Sequence, residues 1–475
     1  MNLSRSLAAL QSDLRAGHLS VSDLVTQYLE QIRAGLFLNC FLEVFDEEIR
    51  DQAIQLDQKI RQGQAARLAG LVVGIKDLLC YKNHASQAGS SILEGFVSSY
   101  TATAVQKLID QDTLIIGRNN CDEFGMGSTN ENSFAGPVRN PLDTNLVPGG
   151  SSGGSAAAVK AGFCHVAIGT DTGGSVRQPA AFCDVIGLKP TYSRISRFGL
   201  IAYASSFDTI GIIAPNIADT ALVLETIAGK DEFDSTASTR EVPAYTHYAF
   251  DEKPKKIALF NEVIEHSALH TDIHRNIIEV TDRLKKEGHI IDFIDFPLMD
   301  YTLPTYYILT TAEASSNLSR FDGVKYGFRA ENCDSLDELY KNTRTEGFGE
   351  EVLRRITLGT FVLSASYYNA YYIKAQKVRR RIRDKINEVF INYDFIILPT
   401  TPAPPYKLGE INRNPLEMYL ADLFTVVASL TGNPAISIPS GKTENGLPIG
   451  LQIIAKDFNE MNLLSFSDYV LQFDR

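Results

Sequence analysis

Residues 148–180 read PGGSSGGSAAAVKAGFCHVAIGTDTGGSVRQPA and contain two Gly/Ser-rich turns, Gly149–Ser155 and Thr172–Ser175. Between the turns lie a short helix-forming segment and an apolar run that is typical of a buried strand. The turns are therefore expected to meet near one edge of a sheet, where Ser151 and Ser175 would be presented. Glycines let backbone N–H groups approach a ligand where a Cβ atom would block it. These features predict a site built around two serines.

The second turn also predicts an anion-binding backbone. Residues Val176–Phe182 can start a helix despite Pro179. At the turn before such a start, several N–H groups point in one direction and can stabilise a developing oxyanion. The donors expected here are the backbone amides of Thr172, Gly173, Gly174 and Ser175.

A serine needs a base before it becomes a good nucleophile, and the usual base, histidine, is poorly placed in this chain. The last histidine is His289, so the C-terminal part of the chain contains none. The segment Leu71–Leu79 reads LVVGIKDLL and puts Lys76 inside an apolar, strand-like run. Burial disfavours the charged ammonium and lowers a lysine pKa, so a neutral Lys76 could accept the proton of a serine.

Other interpretations of the glycine-rich turns are weaker. Such turns are usually plain turns or linkers, but here two serine-bearing turns occur together with a lysine in an apolar run. Residues 149–153 also fit the G-x-S-x-G elbow of α/β-hydrolases, which requires an acid and then a histidine after the serine. No histidine lies near the C-terminus, which argues against the elbow. The chain contains no G-x-x-x-x-G-K-[ST] or G-x-G-x-x-G motif, so phosphate binding by a glycine loop is unsupported.

The two turns and the lysine together resemble the amidase signature family, whose motif spans all of residues 148–180. The resemblance implies an α/β amidase signature fold, in which one large mixed β-sheet is covered by helices on both faces. It also implies a Ser–cis-Ser–Lys triad, with Ser175 as nucleophile, Ser151 as bridging serine and Lys76 as base. The family's cis peptide would lie at Gly150–Ser151.

The same resemblance assigns residues around the triad. Ser152 is expected to support it, and Asp171 and Arg177 match a charged pair that braces the loop. The polar segment Cys121–Asn132 would form a wall of the substrate pocket. Gly125 stands where the family has an alanine, which predicts a looser wall at that point.

Composition limits the possible classes of protein. The chain has 475 residues and a formal net charge of −12, which does not suggest a nucleic-acid-binding scaffold. Its six cysteines form no C-x-x-C pair, so neither a zinc site nor a disulfide framework is indicated and no metal is expected. Without a signal peptide or a membrane-spanning apolar run, we expect a cytoplasmic protein with no membrane contact. We expect one amidase domain over residues 1–475, with a helical and polar decoration around residues 229–390.

The second half of the chain resembles one branch of the family, the A subunits of glutamyl-tRNA(Gln) amidotransferases. The segments that carry this resemblance are Ala312–Gly327, Gly347–Tyr372 and Asp394–Pro402. In that branch an arginine binds the carboxylate of glutamine and an aspartate binds its ammonium. By position these are Arg355 and Asp422, with Tyr306 a further pocket residue, and a planar guanidinium suits a carboxylate because it donates two parallel hydrogen bonds. The alternative for Arg355 is a surface charge beside Arg354.

Two further clusters, one of basic residues and one of histidines, lie outside the signature motif. Lys377–Lys385 reads KVRRRIRDK and predicts a helix with one buried stripe, whose basic face is either solvated or in contact with tRNA or a partner. His266, His270 and His274 recur every four residues, a spacing that could put three imidazoles on one helix face. A helix beginning near Thr271 would leave the first two outside it, so we expect surface histidines rather than a metal site.

The resemblance implies a glutaminase subunit. Ser175 would attack the side-chain amide of glutamine, and the ammonia released would convert Glu-tRNA(Gln) to Gln-tRNA(Gln). ATP and Mg²⁺ would be used by a partner subunit, and this chain would need no cofactor. The B and C subunits would complete a heterotrimer, with the charged tRNA bound mainly by the partner.

Two alternatives stay open from the residues. One is a stand-alone amidase that acts on another small amide. The other is an amidase-fold protein kept only for assembly, which the presence of every triad residue argues against. The sequence does not decide whether aspartyl-tRNA(Asn) is also a substrate.

Overall fold

The computed structural model describes residues 6–251, 253–410 and 419–474, and within these ranges eleven strands form one mixed sheet. The strands are β1 (Phe41–Val44), β2 (Val72–Lys76), β3 (Leu114–Asn119), β4 (Val166–Asp171), β5 (Ile186–Lys189), β6 (Thr209–Ala214), β7 (Lys256–Phe260), β8 (Ile290–Ile294), β9 (Phe395–Pro399), β10 (Ala435–Lys442) and β11 (Pro448–Ala455). Their order across the sheet is β1-β3-β2-β4-β6-β5-β10-β11-β9-β7-β8.

Helices connect the strands and cover them. They are α1 (Leu7–Ala16), α2 (Val21–Ala34), α3 (Asp46–Arg61), α4 (Thr103–Ile109), α5 (Gly153–Lys160), α6 (Arg177–Phe182), α7 (Ile217–Ile227), α8 (Asn261–Ile264), α9 (Thr271–Lys286), α10 (Met299–Asn317), α11 (Leu336–Gly347), α12 (Glu350–Leu363), a π-helical turn (Asn369–Ile373), α13 (Lys374–Asn392), α14 (Val426–Thr431) and α15 (Glu460–Leu471).

The central strands are apolar throughout because both faces of the sheet are covered. Successive side chains of a strand point to opposite faces. Ile75 of β2 and Ile168 of β4 pack with α7 on one face. Val72 and Ala167, from the same two strands, pack with α2 and α5 on the other. The expected α/β fold, with one large mixed sheet between helical layers, is confirmed.

The range 229–390 is only partly a decoration. It supplies β7 and β8, which extend the sheet beside β9 through parallel pairs such as Ile257 with Phe395. The apolar run of β7 needs a paired, covered position, and its place between β9 and β8 provides one. Later in this range, helix α10 packs against α12 and α13. The assignment of residues 1–475 to a single domain stays a prediction.

Two helices agree with the minor predictions made from the sequence. Helix α9 begins at Thr271, as predicted, and the His270 side chain caps it by accepting a hydrogen bond from the Asp272 amide. Helix α13 has the expected buried stripe, which includes Ile382 and Ile386. Over the ranges that the structure describes, no helix is both long enough and apolar enough to span a bilayer, and no histidine, cysteine or carboxylate cluster is arranged to hold a metal ion.

Candidate active site

The site lies where two parallel strands end together. β2 and β4 are neighbours, and their pairing of Ile75 with Ile168 brings both carboxyl ends to one edge of the sheet. Ligands commonly bind at such an edge of an α/β sheet. Lys76 is the last residue of β2, and Asp171 is the last residue of β4. The order of the strands therefore brings the predicted base close to the loop that carries Ser175.

The two glycine-rich turns also meet at this edge. The Ser152 amide donates to the Ser175 carbonyl oxygen at 3.1 Å, and the Gly150 amide donates to Gln178 Oε1 at 2.9 Å. The peptide bond between Gly150 and Ser151 is cis, as the resemblance implied. Backbone contacts thus hold the two serine-bearing turns against each other.

Lys76 is fully buried and lies among hydroxyl groups. Its Nζ is 2.6 Å from Ser151 Oγ, 3.0 Å from Ser152 Oγ and 2.9 Å from Thr170 Oγ1. Burial lowers the pKa of Lys76 to about 8, although nearby acidic groups pull it in the opposite direction. A lysine with such a pKa is partly neutral near physiological pH, which a general base requires.

The hydrogen bonds around Lys76 also orient its lone pair. Ser152 Oγ donates its proton to the Thr170 carbonyl oxygen at 3.1 Å, so towards Lys76 it acts as an acceptor. A neutral amine has two N–H donors and one lone pair. If Ser152 and Thr170 accept the two N–H groups, the lone pair is left for the hydroxyl proton of Ser151. Sequence reasoning missed Thr170, which stands inside the signature motif one residue before Asp171.

Ser175 is the most accessible hydroxyl of the predicted triad. It is 7 % exposed, whereas Ser151 is 1 % exposed. A nucleophile has to reach a substrate, while a residue that only relays a proton does not. The burial of the two serines therefore agrees with the roles expected from the sequence, which stay predictions.

One of the four expected oxyanion donors is already engaged. The Gly174 N–H donates to Asp171 Oδ1 at 2.9 Å, so it is not available to an oxyanion. The prediction is wrong for Gly174, because the carboxylate that braces the loop occupies its amide. The backbone amides of Thr172, Gly173 and Ser175 remain as candidates.

Asp171 and Arg177 form the predicted brace, and both are fully buried. Arg177 Nη2 and Nε donate to the two carboxylate oxygens at 2.8 and 3.0 Å. Burial would raise the pKa of Asp171, but the ion pair with Arg177 outweighs it and lowers that pKa. Arg177 also donates to the Thr425 carbonyl oxygen at 2.8 Å, which ties the nucleophile loop to the residue before α14.

Close packing explains the glycines of the nucleophile loop. A Cβ atom on Gly173 would lie 2.6 Å from the ring of Tyr306, and one on Gly174 would collide with Thr425 Oγ1. Gly174 also has φ = 139°, which side chains disfavour. Tyr306, expected in the pocket, therefore packs directly against the loop that carries Ser175.

Arg355 is buried, at 2 % exposure, so the alternative of a surface charge is wrong. Its Nε donates to Glu351 Oε1 at 2.7 Å, and its Nη1 donates to the Tyr203 hydroxyl at 2.9 Å. The rings of Tyr203, Tyr307 and Tyr419 lie 5.3 to 5.7 Å from the guanidinium carbon. Such a cage holds the guanidinium in one orientation and stabilises its charge.

Asp422 lies beside Arg355 and shares a neighbour with it. Asp422 accepts hydrogen bonds from the Tyr307 hydroxyl at 3.0 Å and from Ser128 Oγ at 3.1 and 3.2 Å. The ring of Tyr307 faces Arg355 while its hydroxyl reaches Asp422, so one side chain touches both charges. Sequence reasoning missed Tyr307, and the only available signal was its position next to Tyr306.

Thr425 connects Asp422 to the nucleophile loop. Its Oγ1 lies 2.5 Å from the Gly173 carbonyl oxygen and 3.0 Å from the Asp422 carbonyl oxygen. The structure thus brings together a buried lysine, the two serines of the signature motif and a pair of opposite charges, from four separate parts of the sequence.

The backbone conformation explains why a glycine stands at position 125 in the wall segment Cys121–Asn132. Gly125 has φ = 73°, a conformation that an alanine would adopt only with strain. A Cβ atom built there would lie 3.5 Å from Ser151 Oγ and 3.3 Å from Leu78. Gly125 therefore borders the bridging serine directly, where the sequence predicted only a looser wall.

Comparison with known proteins gives consistent results along the chain. The Amidase family model matches residues 23–464. The glutamyl-tRNA(Gln) amidotransferase A subunit of Chlorobium phaeobacteroides is 49 % identical, covering 96 % of this chain and 97 % of that protein. The A subunit of the same name from Chlorobaculum tepidum is 48 % identical, covering 97 % and 96 %.

The chain is also similar to a protein whose structure has been solved. The crystal structure of the glutamyl-tRNA(Gln) amidotransferase A subunit from Thermotoga maritima is 38 % identical, with a TM-score of 0.76 over 95 % of this chain and 94 % of that one. With a family model that matches nearly the whole chain and relatives close to half identical, this chain belongs to the Amidase family.

Proposed function

We propose that the chain is the glutamine-hydrolysing subunit of a tRNA-dependent amidotransferase. The observation that carries the proposal is that the side chain of Tyr307 contacts both Arg355 and Asp422, beside the loop of Ser175. Free glutamine carries a carboxylate and an ammonium at one end and the reacting amide at the other. A cation and an anion next to a nucleophile suit that arrangement, and the names of the relatives support the same substrate.

In the proposed reaction Ser175 Oγ attacks the side-chain amide carbon of glutamine. Lys76 accepts the Ser175 proton through Ser151 and returns a proton to the nitrogen, which leaves as ammonia. The backbone amides of Thr172, Gly173 and Ser175 would stabilise the tetrahedral oxyanion. Water then attacks the glutamyl ester, and the same lysine and serine relay its proton to release glutamate.

Ammonia would be consumed on a second subunit. The chain has a net charge of −12, while tRNA binding draws on cationic contacts to phosphates. We therefore propose that ATP, Mg²⁺ and the charged tRNA bind to a B subunit, and that a small C subunit completes a heterotrimer in the cytoplasm. Ammonia would pass between subunits, because in neutral water most of it would become ammonium, which is not a nucleophile.

The test of this division of labour compares the chain alone with the reconstituted complex. We expect the chain alone to hydrolyse glutamine weakly and to leave Glu-tRNA(Gln) unchanged. With its partners, ATP and Glu-tRNA(Gln), glutamine hydrolysis should rise and Gln-tRNA(Gln) should form. Amidation by the chain alone would contradict the proposal. Rapid hydrolysis of varied small amides but not of glutamine would identify a stand-alone amidase instead.

Binding of glutamine should depend on pH through Asp422. Burial raises the pKa of Asp422 to about 7 and Asp171 adds to this, while Tyr307, Arg355 and Ser128 partly offset it. Only the ionised carboxylate can pair with the ammonium of glutamine, so affinity should increase as the pH rises through about 7. Tyr307→Phe removes a donor that favours the ionised form, and it should move this transition to higher pH.

The measurement is glutamine binding by calorimetry between pH 5.5 and 9, in a Ser175→Ala background that prevents turnover. Tyr393→Phe is a matched control, because the Tyr393 hydroxyl also donates to an aspartate, Asp292, but on the protein surface. The control should leave the transition in place. An unchanged transition in Tyr307→Phe would contradict the assigned role of Asp422.

A further inference from the structure

An exposed aromatic tip projects between α12 and α13. All eight residues from Ser364 to Tyr371 are exposed, and the π-helical turn lies partly within them. Five large side chains in the last turns of α12 and in the segment after it are 38–44 % exposed, and we call this set, four rings and one leucine, the aromatic tip: Leu358, Phe361, Tyr367, Tyr368 and Tyr371. Apolar side chains clustered on a surface, unlike scattered ones, mark interaction sites.

The rings of the tip pack against one another. The ring of Phe361 lies 4.2 Å from that of Tyr367 and 5.8 Å from that of Tyr371. Tyr368 stacks on Tyr372 at 5.2 Å. Rings held in this way lose little conformational freedom when a partner covers them. Tyrosine is also among the residues enriched at the centres of protein interfaces.

Unpaired cations continue from the tip along α13. Lys374, Lys377 and Arg381 are exposed and recur at three- and four-residue spacing, which places them on one helix face. Within the described part of the chain they form no ion pair, whereas Arg380 and Arg383 do. This cationic stripe stands out in a chain with a net charge of −12.

The number of free cations favours a protein over a nucleic acid. Of the basic segment predicted from sequence, Arg379 bonds inward to the Leu430 and Ser206 carbonyl oxygens. Arg380, Arg383 and Lys385 are paired with carboxylates. Three unpaired cations beside exposed rings would complement a partner segment that carries a few carboxylates next to apolar side chains. A nucleic acid would gain more from a longer row of unpaired cations.

We infer that the aromatic tip and the cationic stripe form the docking surface for a partner subunit, which binds through an acidic, amphipathic segment. The inference rests on the proposed function, which requires a partner that uses the ammonia. Phe361 and Arg355 both lie on α12, and the helix rises by about 9 Å between them. A partner bound at the aromatic tip would therefore lie close to the proposed glutamine site.

The experiment titrates the fluorescently labelled chain with the purified B and C subunits and measures the dissociation constant. Tyr367→Ser combined with Tyr371→Ser should raise that constant at least about 30-fold, because central aromatic residues dominate interfaces. Lys374→Glu combined with Arg381→Glu should also weaken binding and reduce its dependence on salt. Tyr340→Ser, at an exposed tyrosine on α11, is the control and should change nothing. Basal glutamine hydrolysis should be unchanged in all variants.

The outcomes separate the two proposals. If the unchanged chain binds neither partner, the proposed function fails and this inference fails with it. If the unchanged chain binds and the tip variants bind equally well, only the docking surface is wrong. Normal binding of the partners together with weaker binding of tRNA, or with loss of a self-associated dimer, would reassign the surface and overturn the inference.

Discussion

Replacing Ser175 with alanine is expected to lower glutamine hydrolysis by about 10⁴- to 10⁶-fold, because a nucleophile acts as one unit with its base. Without the Ser175 hydroxyl, the proton relay of Lys76 and Ser151 has no nucleophile to activate, and no glutamyl ester can form. The measurement is ammonia release under saturating glutamine. The reconstituted complex should still amidate tRNA when free ammonia is supplied.

Ser155 offers a matched control in the same signature motif. It is also buried, and its Oγ contacts Asn119 Oδ1 at 3.3 Å rather than Lys76. Ser155→Ala should therefore retain nearly full activity. Mass spectrometry of enzyme trapped during turnover should find the acyl group on Ser175. An acyl group on Ser151 would reverse the two assigned roles.

Replacing Lys76 with arginine is expected to cost about 10²- to 10⁴-fold in rate, the usual contribution of a general base. The side chain would remain cationic, because a guanidinium does not lose its proton in a protein. In the unchanged enzyme the pKa of Lys76 is about 8, and only the neutral form accepts a proton. Activity should therefore rise with pH through about 8, and Lys76→Arg should lose that rise along with the rate.

Lys160→Arg is the control for this substitution. Lys160 is the last residue of α5, in the signature motif, and its Nζ pairs with Asp184 at 2.7 Å rather than with a serine of the site. Arginine can make the same pair, so rate and pH profile should both be retained. A pH–rate profile of Lys76→Arg that matched the unchanged enzyme would show that another group is the base.

Much of this site could be predicted from residues 148–180 because the information is local. Turns rich in glycine and serine, separated by a short helix and an apolar strand, can only present their serines near the end of that strand. A lysine inside an apolar run also predicts its own burial, which lowers its pKa. The α/β fold could also be predicted, because strands that are covered on both faces are apolar along their whole length.

The error at Gly174 and the missed Thr170 have a different cause. From sequence, the four amides before α6 are equivalent donors. The structure distinguishes them because Asp171 turns back and accepts the Gly174 N–H. Thr170 becomes important only because β2 and β4 lie side by side, which brings its hydroxyl within 2.9 Å of Lys76 Nζ. Hydrogen-bond partners depend on such geometry, which no pattern of residue types reports.

By itself, the sequence determined the fold class, the two serine-bearing turns and the buried lysine, since each depends on neighbours in the chain or on apolar patterning. The charged brace was implied only by the resemblance to the amidase signature family. Only the tertiary structure decided how the substrate end of the site is assembled. Arg355, Tyr307, Asp422 and Ser128 come from different helices and loops, and the contact of Tyr307 with both charges is a property of their packing. The exposure of the aromatic tip was likewise decided by packing, because residues 358–371 alone do not show which rings the rest of the chain covers.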